Sequence, residues 1–352
     1  TPKMTSSVRI IRRVLAAAAG IATALTLTAC GGGSTTPAPE PSGSGAATTS
    51  VGPLAEAAFQ LGWIPNVESM APIVASAKGY FDAEGVKVEI LPGGPEVTTD
   101  AQIVSGNALM GTMSSEGLAN SIKAGAPLIA VGAIYQTSSS AIVTKADSGI
   151  KEPKDLEGRK FGVSQTDARV YTPFFKLTGV DESKVTMVQS GSDPAALIAG
   201  EVDAMSGTLA NQPIALAAQG VETTVIRLAD FGYNRWSHLM VVRKDSLEDP
   251  EKRATVAAML RALTKGLQTS VDDPAAAAQT VYDVYGEQLG LDLEQQKASA
   301  VVWAQLATEG TKEQGVMRVT EAGIADQQAF YDAIGLEIDA KSLFDLTVQD
   351  KG

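Results

Sequence analysis

The chain has 352 residues, a formal net charge of -12 and 44% hydrophobic residues. This length and composition predict a globular protein of two domains, and the acidic balance argues against nucleic acid as a partner, because nucleic acids bind basic surfaces. The only Cys and the only His are Cys30 and His238, which excludes a disulfide within the chain and a Cys/His zinc site.

Residues 1–29 have the features of a secretory signal peptide. A basic start without acidic residues precedes an apolar run over residues 14–29, which is short for a membrane span. The run ends in Leu-Thr-Ala-Cys, which resembles a bacterial lipobox in which Cys30 is lipidated. The alternative is a plain signal peptide with an incidental Cys. The pattern predicts an extracytoplasmic protein, anchored to the cell membrane by its lipid alone.

Residues 30–57 form a segment rich in Gly, Pro, Ser and Thr. Such a composition buries too little apolar surface to fold by itself. We therefore expect a disordered tether between the lipid and the folded part.

From residue 58 onward, strand and helix patterns alternate. Repeated strand–helix units predict parallel pairing with right-handed crossovers. The first set has predicted strands at 59–63, 86–90, 108–113 and 127–135, with helices at 68–78, 97–105 and 115–124. The second set has predicted strands at 159–164, 185–189, 203–207 and 224–228, with helices at 167–178, 193–199 and 211–219. Residues 250–335 have helical spacing, with turns expected near Pro274 and Gly286.

Two segments that bracket the second set have similar sequences. Residues 139–148 and 237–246 are both β-prone runs that end in a basic residue followed shortly by Asp-Ser. We interpret them as two crossover strands that join two α/β lobes, although two unrelated edge strands would also fit. Lobe 1 then comprises residues 58–141 and 240–352, and lobe 2, residues 142–239, is inserted within it. Two crossings would form a hinge, with a ligand cleft between the lobes.

Several motifs occur in an order that identifies a family. Residues 61–66 (LGWIPN), 77–90, 124–136, 149–163, 199–204 and 218–221 together resemble the NMT1/THI5-like substrate-binding proteins of the nitrate/sulfonate/taurine and thiamine-precursor class. The resemblance implies an α/β, two-lobed periplasmic-binding fold of type II, with two doubly wound sheets, two crossover strands and a helical C-terminal part. It also implies a monomer that delivers a small molecule to an ABC permease.

The ligand class follows from two features. Residues 63–66 and 133–136 look more like the thiamine-pyrimidine and riboflavin-type branch than the nitrate branch. Glu116 lies at the end of the third predicted strand, where a carboxylate repels an anion and accepts a hydrogen bond from a ring amine. Alternatively, Glu116 stabilises the dipole of its own helix. An aromatic nitrogen heterocycle is therefore expected, and a small anion (nitrate, alkanesulfonate or taurine) is the alternative.

Lobe 1 supplies the first candidate ligand contacts, each with a structural alternative. Trp63 can stack on a flat ring or pack in the core, and Asn66 can contact ligand or cap a helix. Gln136 can donate and accept hydrogen bonds as a pyrimidine edge requires, or serve as a hinge contact. Ser115 and Glu116 complete this set.

Lobe 2 and the return crossing supply the remaining candidates. Ser164 and Thr166 precede a helix, where they can contact ligand or cap it. Tyr171 follows one turn later, and Tyr233 and Trp236 are expected as walls opposite Trp63. Arg235 could pair with an anionic ligand group, but a surface ion pair is favoured, and His238 is expected to be a structural residue with satisfied nitrogens.

An enzymatic role is the distant alternative. A fungal relative that makes the thiamine pyrimidine resembles the Trp-x-Pro-Asn opening, but that family relies on a Cys-rich iron-binding segment and an active His. Here no Cys follows Cys30, and no Gly-x-Ser-x-Gly elbow occurs. We therefore expect no catalytic residue, no cofactor and no metal site.

Overall fold

A computed structural model describes residues 55–164, 167–311 and 313–349. The predicted signal peptide, Cys30, most of the predicted tether and Thr166 lie outside the described residues. None of the described helices is both long and apolar enough to cross a bilayer.

Sheet A has five strands in the order β2-β1-β3-β10-β4. Strands β1 (Ala55–Gln60), β2 (Val86–Leu91) and β3 (Met110–Met113) pair in parallel. Strand β10 (Ser237–Arg243) lies antiparallel between β3 and β4 (Leu128–Tyr135). Because β1 begins at Ala55, residues 55–57 are part of the sheet, although the sequence pattern places them in the tether.

Sheet B has five strands in the order β7-β6-β8-β5-β9. They are β5 (Ser140–Lys145), β6 (Lys160–Val163), β7 (Thr186–Gln189), β8 (Ala204–Thr208) and β9 (Thr223–Arg227), and β5 is antiparallel to both of its neighbours. The two similar segments, residues 139–148 and 237–246, thus contain β5 and β10. Each of these strands is antiparallel to its neighbours in its own sheet. This arrangement confirms the predicted fold class, with two α/β sheets joined by two crossings.

The helices divide between the sheets. Beside sheet A lie α1 (Met70–Ala77), α2 (Tyr80–Ala83), α3 (Thr99–Val104) and α4 (Ser115–Lys123), and beside sheet B lie α5 (Ala168–Thr178), α6 (Ala195–Ala199) and α7 (Gln212–Ala217). The C-terminal part forms α8 (Pro250–Asp272), α9 (Pro274–Leu289), α10 (Leu293–Thr308) and α11 (Glu321–Ala333).

The turn predicted near Gly286 is wrong. Helix α9 continues through Gly286 to Leu289, and the next residue, Gly290, has the left-handed conformation typical of a helix terminus. Gly286 is buried within the helix, and a Cβ there would lie 2.5 Å from the ring of Tyr282. This glycine therefore makes room for a side chain instead of ending the helix.

Two cores cover the faces of sheet A. One contains Phe59, Met70 and residues of α8 to α10, while the other extends from sheet A into lobe 2 through Tyr233. The ring of Tyr233 lies 6.0 Å from Phe174 of α5 and 5.1 Å from Phe330 of α11. The two lobes therefore share a continuous aromatic contact.

The two crossings are bonded to each other. The Asn234 side-chain oxygen in the second crossing accepts hydrogen bonds from Ser138 N at 3.0 Å and Thr137 Oγ1 at 3.2 Å in the first. Nearby, Arg227 at the end of β9 forms an ion pair of 2.9 Å with Glu309 after α10. The return crossing is thus fixed against the outgoing one at the place where the lobes meet.

Candidate functional site

Four consecutive side chains of the return crossing carry buried polar atoms with no hydrogen-bond partner among the described residues. These atoms are Arg235 Nε, Trp236 Nε1, Ser237 Oγ and both ring nitrogens of His238. Buried polar atoms are paired in most native proteins, so an unpaired group calls for an explanation. A run of four at the junction of two lobes indicates a place where a polar ligand completes the hydrogen bonds.

His238 has an unusual backbone. Its φ is 53°, in the left-handed region that residues other than glycine seldom adopt, so some conformational strain is held here. The imidazole packs edge-on against Tyr135, with ring centroids 5.2 Å apart. Burial lowers the pKa of His238 to about 4. The expectation that His238 is a satisfied structural residue is therefore wrong, because neither nitrogen has a partner in the described part of the chain.

Glu68 faces His238. The two side chains approach to 3.9 Å between Oε1 of Glu68 and Nδ1 of His238. Asn66 caps the short helix at Val67–Ser69 by accepting a hydrogen bond from Glu68 N at 2.7 Å. Tyr135 Oη donates to Glu68 O at 2.8 Å. Burial raises the pKa of the Glu68 carboxyl to about 7, and the Arg235 guanidinium opposes this rise.

Glu68 is not among the site residues predicted from the sequence. Its position offers one signal, since it lies in the loop that follows the first strand, two residues after Asn66. Ligands in α/β sheets bind beyond the carboxyl ends of the strands. The decisive information, its proximity to His238, appears only in the folded chain.

Arg235 lies among three of these groups. Its positive charge lowers the pKa values of Glu68, Tyr171 and Tyr233, against the larger effect of burial that raises all three. Arg235 takes part in none of the ion pairs within the described ranges. The favoured surface ion pair is therefore wrong, and the guanidinium lies in the lobe junction.

The structure brings four predicted site residues together. Tyr233 Oη donates to Glu116 Oε2 at 3.1 Å, and Ser115 N donates to Trp236 O at 2.9 Å. The Ser115 hydroxyl is buried without a partner among the described residues, next in sequence to Glu116. Ser114 Oγ caps α4 by accepting from Gly117 N. The start of α4 thus contacts the return crossing on both sides of Arg235.

Other predicted residues have structural partners. Gln136 Nε2 donates to Arg318 O at 2.7 Å, and Ser164 Oγ accepts from Asp167 N at 3.0 Å, just before α5. Tyr171 Oη donates to Ala141 O at 2.6 Å, and its ring packs on Phe161.

Trp63 and Trp236 do not meet. The indole of Trp236 is buried, its ring centroid lies 6.3 Å from that of Phe344, and it fills the space beside Gly323 of α11. Trp63 follows β1 and is 43% exposed. Its ring remains accessible to a partner from solution.

This chain is similar to two relatives whose names state a ligand and to one relative whose name states a reaction. The riboflavin-binding protein RibY of Chloroflexus aurantiacus is 27% identical over 246 residues, covering 66% of this chain and 68% of that protein. The formylaminopyrimidine-binding protein of Halalkalibacterium halodurans is 25% identical, covering 62% and 67%. The 4-amino-5-hydroxymethyl-2-methylpyrimidine phosphate synthase of Schizosaccharomyces pombe is 25% identical, covering 61% and 66%.

A solved structure has the same fold. The periplasmic aliphatic sulphonate binding protein SsuA from Escherichia coli superposes with a TM-score of 0.63 at 16% identity, covering 86% of this chain and 94% of that one. Residues 66–277, more than half of the chain, match the family model described as NMT1/THI5 like. The chain therefore belongs to the NMT1/THI5-like family.

Proposed function

We propose that this protein is the extracytoplasmic solute-binding component of an ABC importer. It captures a small aromatic nitrogen heterocycle between its lobes and delivers it to the permease without altering it. The observation that carries this proposal is the run of unpartnered polar atoms from Arg235 to His238 at the junction of the lobes. Hinge closure would trap the ligand there, because the residues on the crossings contact both lobes.

The chemistry of the junction favours a heterocycle. Arg235, Trp236 and Ser237 offer hydrogen-bond donors, while Glu68 and the neutral His238 offer acceptors. A nitrogen heterocycle presents both donors and acceptors at the edge of a flat ring. The names of the riboflavin- and formylaminopyrimidine-binding relatives support the same ligand class.

A small anion is the second candidate, and Arg235 is the observation that favours it. Its guanidinium has no ion-pair partner within the described ranges, and such a group binds carboxylates, sulfonates and phosphates well. Glu68 opposes a bare anion, because its carboxyl group lies in the same junction and its charge repels an anion once it loses its proton above about pH 7. We therefore place the anion second.

The enzymatic alternative derives from the relatives named as synthases. Incubation of the protein with a bound heterocycle distinguishes the two roles, because a receptor returns the molecule unaltered and an enzyme converts it. We propose no catalytic residue.

The location and anchoring belong to the same proposal. A lipid on Cys30 would hold the protein at the outer face of the cell membrane, and residues 31–54 would let it reach the permease. Metabolic labelling with a radioactive fatty acid tests this, with Cys30→Ala as the control. Labelling of the native protein alone is expected.

Mass spectrometry of the molecule that co-purifies with the protein tests the ligand class. We expect a nitrogen heterocycle released on denaturation, and a rise in melting temperature when that compound is added back, because a ligand that binds the folded state stabilises it by mass action. The melting temperature is also measured with a panel of flavins, aminopyrimidines, taurine, alkanesulfonates and nitrate. Stabilisation by sulfonate or nitrate alone would overturn the heterocycle assignment in favour of the anion.

A further inference from the structure

The carboxyl group of Glu68 is held in place by contacts that leave its oxygens available. Its backbone is fixed by Asn66 and Tyr135 on either side, at 2.7 Å and 2.8 Å. Glu68 and His238 are 3.9 Å apart, which is beyond hydrogen-bond distance. The carboxyl group therefore lies beside an unpartnered imidazole that is more than nine-tenths buried.

We propose that Glu68 is the specificity-determining residue of this site and that it selects a ligand with an amidine edge, meaning a ring nitrogen beside an exocyclic amine. This inference rests on the proposed function and names its substrate class more closely. A carboxylic acid offers one O–H donor and one carbonyl acceptor side by side. The amidine edge offers the complementary acceptor and donor, so two parallel hydrogen bonds form.

The surroundings of Glu68 suit a protonated carboxyl group. Burial raises its pKa to about 7, so the acid keeps its proton over most of the acidic to neutral range. Arg235, His238 and Tyr135 face it from the return crossing, from β10 and from β4. His238 is neutral above about pH 4 and does not compete as a cation for the carboxyl group.

The test compares two probes that differ by one amine. They are 4-amino-5-hydroxymethyl-2-methylpyrimidine and 5-hydroxymethyl-2-methylpyrimidine, titrated calorimetrically into the wild-type protein and three variants. In the wild type we expect the amine-bearing probe to bind at least about tenfold more tightly, since one of the two parallel hydrogen bonds depends on the amine. Glu68→Met should bring the affinity ratio close to one. Glu68→Gln should keep most of the preference, because its amide offers the same donor–acceptor pair.

Glu201→Met is the matched control. It makes the same substitution at an exposed carboxylate and leaves Glu68 and its neighbours intact, so the preference should persist. A wild-type ratio near one, or a preference that survives in Glu68→Met, would overturn the role of Glu68. If the wild type binds a flavin but neither pyrimidine, the proposed function stands and this inference falls. If it binds no heterocycle at all, the proposed function itself fails.

Discussion

Glu68 and His238 are adjacent without forming an ion pair. Burial raises the pKa of the acid to about 7 and lowers that of the imidazole to about 4, so both groups are neutral between these values. Desolvation opposes the charged form of each residue. A neutral acid and a neutral imidazole provide directional hydrogen bonding in place of net charge, which suits an uncharged ring.

The raised pKa of Glu68 predicts a pH-dependent effect on folding. The folded protein keeps the Glu68 proton up to about pH 7, whereas the unfolded chain releases it near pH 4.5. This group therefore lowers the free energy of unfolding as pH rises from about 4.5 through 7. Glu68→Gln lacks the effect, so the ligand-free variant should melt at a higher temperature than wild type at pH 8 and at a similar temperature at pH 4.

Calorimetric melting curves across this pH range check the expectation. His238 contributes equally to both proteins, so the difference isolates Glu68. Glu201→Gln, which removes an exposed carboxylate, is the control and should follow wild type at every pH. Parallel curves for Glu68→Gln and wild type would contradict a Glu68 carboxyl group that keeps its proton up to about pH 7 in the folded protein.

Trp63 allows a binding test with little risk to folding. Because the ring is 43% exposed, Trp63→Ala should leave the melting temperature of the ligand-free protein nearly unchanged. Loss of aromatic stacking and apolar contact should weaken binding of the co-purified heterocycle about tenfold. Ile64→Ala is the matched control, since Ile64 is the next residue and is 37% exposed. Equal effects of the two substitutions in calorimetric titration would argue against stacking.

At the residue scale, the sequence predicts which residues lie near one another better than it predicts the contacts that they make. Ser115 and Glu116 follow β3, while Tyr233 and Trp236 precede β10, which is antiparallel to β3, so all four lie at the same edge of sheet A. The role of Glu68 depends on His238, which is far away in sequence and is brought close by the position of β10 between β3 and β4 in sheet A. No local pattern could encode that contact.

At the scale of elements, α1 and α8 pack unusually closely. A Cβ on Gly266 of α8 would lie 2.4 Å from the backbone oxygen of Ala71 in α1. Backbone atoms cannot move aside as a flexible side chain does, so glycine is required here. The close approach places the C-terminal helices directly on lobe 1.

Gly266→Ala should therefore destabilise the protein although alanine is the better helix former. Helix propensity favours alanine by about 1 kcal/mol, while overpacking costs about 1–3 kcal/mol, and we expect the packing effect to win. Urea unfolding should show a lower midpoint. In Gly286→Ala, the matched control in α9, only the Tyr282 side chain must move, so stability should be unchanged or higher. A stabilised Gly266→Ala would contradict the close backbone contact between α1 and α8.

The elements themselves follow from local patterns more reliably than their arrangement. Apolar runs and helix-ending glycines predict the order of strands and helices in both lobes. The sequence predicts a turn near Gly286, because a glycine that makes room for a ring looks the same in the local sequence as a glycine that ends a helix. The position of β10 between β3 and β4 arises from long-range pairing and has no signature in a single segment.

At the scale of the whole molecule, a few polar contacts join the lobes in addition to the aromatic contact through Tyr233. Arg227 of lobe 2 pairs with Glu309 of lobe 1, and Ser299 Oγ of α10 donates to Ala210 O at 2.6 Å. Exposed ion pairs contribute little individually. A single substitution at one of these polar contacts should therefore shift the balance between separated and joined lobes by a small but measurable amount.

Glu309→Gln should favour separated lobes, because it removes the charge facing Arg227. We expect a larger radius of gyration for the ligand-free variant in small-angle X-ray scattering, and a two- to fivefold weaker affinity for the co-purified ligand, about the strength of one surface ion pair. Glu313→Gln, which alters a nearby exposed carboxylate, should match wild type. An unchanged radius of gyration and affinity would show that this pair does not bias the lobes.

The bond from Asn234 to the opposite crossing has a mechanical consequence. Two connections bonded to each other should act as one pivot, and we expect the lobes to rotate about a single axis instead of twisting independently. A fluorophore pair, with one dye on each lobe, should then report occupancy as a two-level signal. Under the proposed function, such a labelled pair would turn the protein into an optical sensor for the molecule that it binds.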